Sequence, residues 1–452
     1  MIRIAPWMLA GAVAIAASTP GDPQPRHDFD PMRGSLRRLA PQPVYSRNRN
    51  DAWNLAFYLL FTRTVRSQLV SPGATMFGGM DERLSLSERY VTRIEEGDRA
   101  VDPLYPSWAW VSAEFDVSPD GSWRLLRDPR FAQFAASLRE IQWSASTRSP
   151  LARALMQADL WAVYDTVFAT TRFASAYDRT ADPSQLSQRR EELLVTLAAT
   201  IRALALTRIE IAALPDNYEA AARLGAVPDL LNPEQGWIEI QWLPHRMHDR
   251  AVQFRRAARV FLKPARRPAD EVAFLNRFRD ETGAPLSELE ATALVTQNLL
   301  VASDGSVVPS PITFDVQIRR LNAGVNRPAQ VTEHELSRRL LLTEPAAGGF
   351  ASLDENAPAY LPMAGNDFLF ATPRRPNADP ILGTLRDRCA ACHGAGSGSL
   401  FTFSVVRGPG WLPPPVQRLD ASKNVRALAV AADKLLRDDF KALQREWFAN
   451  GR

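Results

Sequence analysis

Cysteine is nearly absent from this 452-residue chain, which has only Cys389 and Cys392. Two thiols three positions apart cannot staple a large fold, so a disulfide framework is excluded and the hydrophobic core must suffice. Lysine is almost as scarce: Lys263, Lys423, Lys434 and Lys441 stand against many arginines, a bias of composition. Three of the four fall in the last 30 residues, a hint of a docking face. Blocks of like charge are missing too. The 54 basic and 50 acidic residues alternate in sign, giving a net +4 without the electrostatic footprint of a nucleic-acid binder. Pairs such as Glu95-Glu96 and Glu191-Glu192 read as solvated helix faces. No run of 18 or more apolar residues occurs, so no membrane span is expected after leader removal. There is no G-x-S-x-G, no P-loop, and no G-x-G-x-x-G between a strand and a helix. His334-Glu335 starts like a zinc-protease motif, but Arg338 occupies the place of its second histidine, and the motif fails.

What is present begins with a leader. Arg3 precedes the apolar run Ile4–Ala17, and Ala14, Ala16, Ala17 and Ser18 offer small residues for cleavage. That length suits a signal peptide (residues 1–17) and a periplasmic or secreted protein. No cysteine follows the run to take a lipid. Residues 18–48, rich in Pro, Arg and Asp, read as a linker.

Hydrophobic periodicity then organises the chain. Asp51 is a good N-cap for a helix to about Val70. Residues 71–106 look irregular, Trp108 to Val117 extended, and Ser118-Pro119-Asp120-Gly121 a turn. Ala152, Met156, Leu160, Val163 and Val167 recur at helical spacing, with Asp165 on the opposite face and Asp159 at the stripe's edge. Glu192 to Leu214 repeats the pattern as a second long helix. Trp237 to Leu243, Val252 to Leu262 and Val295 to Ala302 read as strands. Ile312, Phe314, Val316 and Ile318 alternate with polar residues as a half-buried strand does. Asn424 to Phe448 forms an amphipathic helix whose apolar face begins Val425, Leu428, Ala429, Ala432, Leu435 and Leu436. The expected organisation is a mainly helical region over 49–234, an α+β region over 235–345, a connection over 346–377, and a small C-terminal domain over 378–452.

One motif carries chemistry. Cys389-Ala390-Ala391-Cys392-His393 has the C-x-x-C-H spacing of haem attachment. The two thiols, one helical turn apart, form thioethers to the two vinyl groups of a haem, and the adjacent imidazole supplies the proximal nitrogen to iron. Random placement of two cysteines and five histidines would give this pentad about once in 20,000 such chains. A dithiol redox motif would sit near a βαβ pattern, whereas a short helical segment, Pro380 to Arg388, is expected here. A zinc site would need a second ligand pair nearby.

On these residues, about 378–452 resembles the single-haem c-type cytochrome domain: a short helix, the attachment pentad with Gly394 after it, and a closing helix over 424–448. The resemblance implies a small all-α C-terminal domain, one covalent haem c bound through Cys389, Cys392 and His393, and electron transfer with a redox partner protein. The fold class expected for the whole is mixed α+β, mainly helical, with that domain appended. One departure stands out: the family places a distal Met or His after the pentad, and this chain has neither beyond His393. Distal candidates are Met363, nearest in sequence, then His334, His245 and His248, with Lys423, Lys434 and Lys441 behind. Three functions stay open: single-electron transfer, a haem-dependent oxidoreductase of peroxidase-like type, and a haem sensor or scaffold without turnover.

Overall fold

The computed structural model describes residues 43–61, 64–66, 83–85, 126, 130–169, 182–241, 254–279, 286–322, 325–353, 358–361, 366–367, 372–373, 381–384, 416–420 and 423–449. The chain divides into Met1–Arg38, wholly outside these residues, and a compact unit, Leu39–Arg452, to which every element below belongs.

Asp51 opens α1 (Ala52–Phe61) by accepting the Trp53 N–H at 3.0 Å, the cap the sequence promises. The helix ends earlier than Val70, and β1 (Thr64–Arg66) and β2 (Arg83–Ser85) follow. Three longer helices come next: α2 (Arg130–Ser144), α3 (Pro150–Ala169) and α4 (Pro183–Leu204). The helix expected over 192–214 is split. Thr207 and Glu210 close a capping box that starts α5 (Arg208–Ala212), and Leu206 just before it bridges to Ala302. A short α6 (Asn217–Arg223) completes the helical part.

A seven-stranded antiparallel sheet is the centre of the unit. Its strands β3 (Ile238–Gln241), β4 (Arg256–Pro264), β5 (Leu289–Val301), β6 (Val307–Asn322), β7 (Val325–Leu336) and β8 (Phe350–Leu353) run as a meander. The short helices α7 (Glu271–Asn276) and α8 (Arg338–Thr343) fill two of its connections. Downstream come β9 (Pro358–Leu361), β10 (Asn366–Asp367), β11 (Thr372–Pro373) and β12 (Ile381–Thr384). Then β13 (Gln417–Arg418) adds to the sheet edge beside β3. Strands β2, β1, β12 and β9 form a separate four-stranded sheet.

Both faces of the large sheet are buried. Phe261, Ala293 and Ile318 pack with Tyr218 and Ala221 of α6, while their neighbours Val260 and Leu262 pack with Phe274 and Leu275 of α7. The alternating stretch of β6 therefore is not half-buried, since Thr313 and Asp315 are buried as well. Nor do its four apolar residues share a face. The register slips where Thr296 faces Asp315 and Gln297 faces Thr313, so one residue of β6 is extra. Ile312 and Phe314 consequently join Leu151 and Leu155 of α3, and Val316 and Ile318 join α6.

The expectation of a small all-α C-terminal domain is overturned. Ile381–Thr384, placed in a helix by the sequence reading, is strand β12, paired with β9 and β1. The closing helix is two helices, α9 (Val425–Leu435) and α10 (Asp438–Ala449). Val430, Phe440, Leu443 and Trp447 from these helices share one core with Trp161, Leu197 and Ile201 of α3 and α4. Arg202 of α4 donates to the Trp447 carbonyl at 2.7 Å. An amphipathic pattern specifies that a helix has a partner but not which one, and here the partner is the main body.

Gly348 and Gly349, with φ of 80° and 65°, let the turn before β8 press against two helices. A Cβ on Gly348 would stand 2.4 Å from the Asn217 carbonyl oxygen, and one on Gly349 2.6 Å from the Leu341 Cα. Asn217 is itself pinned, donating to the Thr313 carbonyl and accepting its N–H. Gly348→Ala should therefore lower the unfolding free energy by at least about 1–3 kcal/mol in urea titrations.

Candidate functional site

Cys389, Cys392 and His393 lie outside the described residues, as do Met363, His245 and His248. The described strands on either side of the pentad in sequence are β12 and β13. Its segment, 385–415, leaves β12 in the small sheet and returns at β13 on the edge of the large one. Downstream of it, Val416 is buried with Ile238 and Ile240, and Leu419 donates to the Glu239 carbonyl at 2.9 Å.

Of the remaining iron-ligand candidates, His334 is on β7, 8% exposed, with Nδ1 2.8 Å from the Ser352 hydroxyl of β8. Burial pulls its pKa below the usual imidazole value, favouring the neutral ring. Lys423 and Lys441 are largely exposed, 3.0 Å from Asp420 and 3.9 Å from Asp438. Lys434 is fully buried and already engaged. Its ammonium lies 2.6 Å from Asp165 and 3.2 Å from Asp439. Binding iron would require deserting both carboxylates.

That ammonium belongs to an ionic core absent from the sequence reading. Helix α3 is buried nearly all round, including both carboxylates expected at its edge and outer face: Asp159 is 4% exposed and Asp165 0%. Six residues apart, the two point to different sides and rise about 9 Å along the axis. Asp159 receives Arg338, the first residue of α8, in a fork: Nε to Oδ2 at 2.8 Å and Nη2 to Oδ1 at 2.5 Å. The Tyr45 hydroxyl donates to Asp159 at 3.3 Å, and the Arg338 guanidinium also lies over Phe57 and Phe314. Asp165 meets Lys434 of α9 and, at 2.9 Å, Arg255, the residue just before β4. Asp439 of α10 joins Lys434 to Arg437, and the Lys434 ammonium sits 5.3 Å from the centre of the Trp161 ring. One helix thus ties the sheet, α8 and the C-terminal helices together by charge.

Burial pushes the Asp165 carboxyl up from 3.8 to about 6, with Asp439 adding to the rise and Lys434 and Arg255 opposing it. An acid that holds its proton more tightly when folded contributes stability fully present below its unfolded value near 4. That contribution is lost as the pH rises through about 6. Asp165 should thus cost on the order of 2–3 kcal/mol between pH 4 and pH 7. Urea titrations of the wild type against Asp165→Asn check this, the difference between the two profiles carrying that slope.

A signal for this core exists in the sequence. An aspartate within Leu160-Trp161-Ala162-Val163-Tyr164-Asp165, a stretch apolar on every side, must find a cation. Its identity, 269 residues downstream, is not local information. Among the described residues, no group of three or more His, Cys, Asp and Glu is arranged to hold a metal, and no helix is long and apolar enough to cross a membrane. No family model matches the chain, and neither does any curated protein or solved structure.

Proposed function

We propose that this chain is an exported protein that carries one haem c on Cys389 and Cys392, with His393 as proximal iron ligand, and that it exchanges single electrons with a partner protein. The observation that carries the reading is the pentad, built from the only two cysteines of the sequence; the apolar run Ile4–Ala17 after Arg3 supports export. The donor set fits the group in its chemistry: two thiols three positions apart and an imidazole following them in sequence. When bound, the haem supplies a reversible one-electron couple whose potential follows axial ligation and burial. On this reading the attachment segment lies, in sequence, between β12 and β13.

The missing Met or His after His393 favours a second reading, a haem with an open distal position that binds and reduces a small oxidant. Optical and spin-state spectra of protein matured in a host that attaches haem c separate the two. Electron transfer with Met363 as distal ligand predicts a low-spin, six-coordinate spectrum, converted by Met363→Ala to a high-spin form that binds carbon monoxide. A wild type that is already high-spin and turns over peroxide would favour the enzyme instead. The same preparation should begin after residue 17 when isolated from the periplasm.

A further inference from the structure

Four buried polar atoms around Asp165 have no hydrogen-bond partner among the described residues. They are the Trp161 Nε1–H, the Asp165 Oδ1, and the Nε–H and Nη2–H of Arg255. Such groups are nearly always satisfied in folded proteins, by protein or by ordered water. These four are also neighbours. Trp161 and Asp165 stand one turn apart on the same face of α3. The Lys434 ammonium lies beside both, 2.6 Å from Asp165 Oδ2 and 5.3 Å from the centre of the Trp161 ring. Arg255 Nε is 2.9 Å from that same Oδ2, but off the line of a hydrogen bond. Both cations approach one carboxylate oxygen, and the other has no donor.

We propose that Trp161, Asp165 and Arg255 bind one internal water molecule. It accepts from the indole N–H and from the guanidinium edge of Arg255, and donates to Asp165 Oδ1. The donor set selects this ligand. Two N–H donors and one carboxylate acceptor match the roughly three hydrogen bonds that a buried water makes. A chloride ion could accept from Trp161 and Arg255, but it would face the Asp165 carboxylate. A sodium or ammonium ion would face Arg255 and Lys434 instead. Only a ligand that is both acceptor and donor suits all three side chains. The site is closed to bulk solvent: Trp161 and Asp165 are 0% exposed, Arg255 is 3% exposed, and Phe440 of α10 packs 5.8 Å from the Trp161 ring. The water binds at Oδ1 and leaves the Lys434 contact, at Oδ2, as it is. It is a fixed part of the ionic core, and the inference stands apart from whether haem is attached.

A crystal structure of the wild-type protein, at a resolution that shows ordered water, tests this. The expected result is a single density peak within about 3.2 Å of Trp161 Nε1, of Asp165 Oδ1 and of an Arg255 nitrogen. An empty map at that point overturns the proposal. So does an anomalous signal marking the peak as chloride, or an Arg255 turned to fork directly onto both Asp165 oxygens. In solution, protein labelled with 15N-tryptophan gives an independent reading. The Trp161 indole signal is the one that Trp161→Phe removes, and it should show a cross-peak at the water frequency. Opposite signs in the laboratory-frame and rotating-frame experiments mark a bound water. No cross-peak, or one of the same sign in both, as chemical exchange gives, contradicts the proposal. Should Trp161→Phe not fold, the wild-type crystal structure decides alone.

Discussion

Lys434→Met is expected to lower the unfolding free energy by about 3–5 kcal/mol, the cost of leaving a buried charge without its partner. Lys434 and Asp165 are both 0% exposed and 2.6 Å apart, so neither charge can recover hydration once the other is gone. Arg255, at 2.9 Å, remains as a cation for Asp165, which keeps the loss in this range. Asp439 would lose its 3.2 Å contact with Lys434 and keep Arg437 at 3.2 Å and the Phe440 N–H at 2.7 Å. The variant also removes the strongest pull holding the Asp165 proton affinity down. Its pH window should therefore move up, with the fall in stability continuing above pH 6. Urea titrations at pH 5 and pH 8 would show both effects. The double variant Asp165→Leu/Lys434→Met should not recover the loss, because it deprives Arg255, itself 3% exposed, of the Asp165 carboxylate at 2.9 Å. A single-variant loss under 1 kcal/mol would mean that water reaches the pair.

Arg338→Met should cost a similar 3–5 kcal/mol by stranding Asp159. Arg338 is 1% exposed, and its fork satisfies both carboxylate oxygens, which the weak Tyr45 contact at 3.3 Å cannot replace. Arg338→Lys keeps the charge but not the fork or the flat contact with Phe57 and Phe314, so it should recover only part of the loss. Because Arg338 opens α8, the variant should first loosen α8 and the Gly348-Gly349 turn behind it. Hydrogen exchange at Leu341, whose N–H is bonded to the Ser337 carbonyl at 2.9 Å, reports that opening.

Elements with strong local signals were legible in the sequence. The Asp51 cap, the α3 stripe and the β3, β4 and β5 segments are written in nearest-neighbour chemistry: a capping side chain, a 3.6-residue period, β-branched runs between turns. What the sequence withheld depends on distant partners. Pattern cannot say that β6 carries an extra residue that sends Ile312 and Val316 to different cores, because the slip is defined by β5. Helix α9 shows the limit most sharply. The pattern marks an apolar stripe, yet the buried face is the one that carries Ala427, Val430 and Ala431 with Arg426 and Lys434, the last bound to Asp165. The separate C-terminal domain failed for the same reason: its helices have their partners in α3 and α4. The Cys389-Ala390-Ala391-Cys392-His393 pattern, by contrast, is purely local, and the proposal of haem attachment rests on the sequence alone.

The most direct test of covalent haem at that pentad is the intact mass of protein purified from a host with active cytochrome c maturation. The proposed function predicts a red protein whose mass exceeds that of the processed chain by one haem, with neither cysteine open to alkylation and the haem retained through acid–acetone extraction. A colourless protein at the mass of the bare chain, with Cys389 and Cys392 both alkylated, would contradict it.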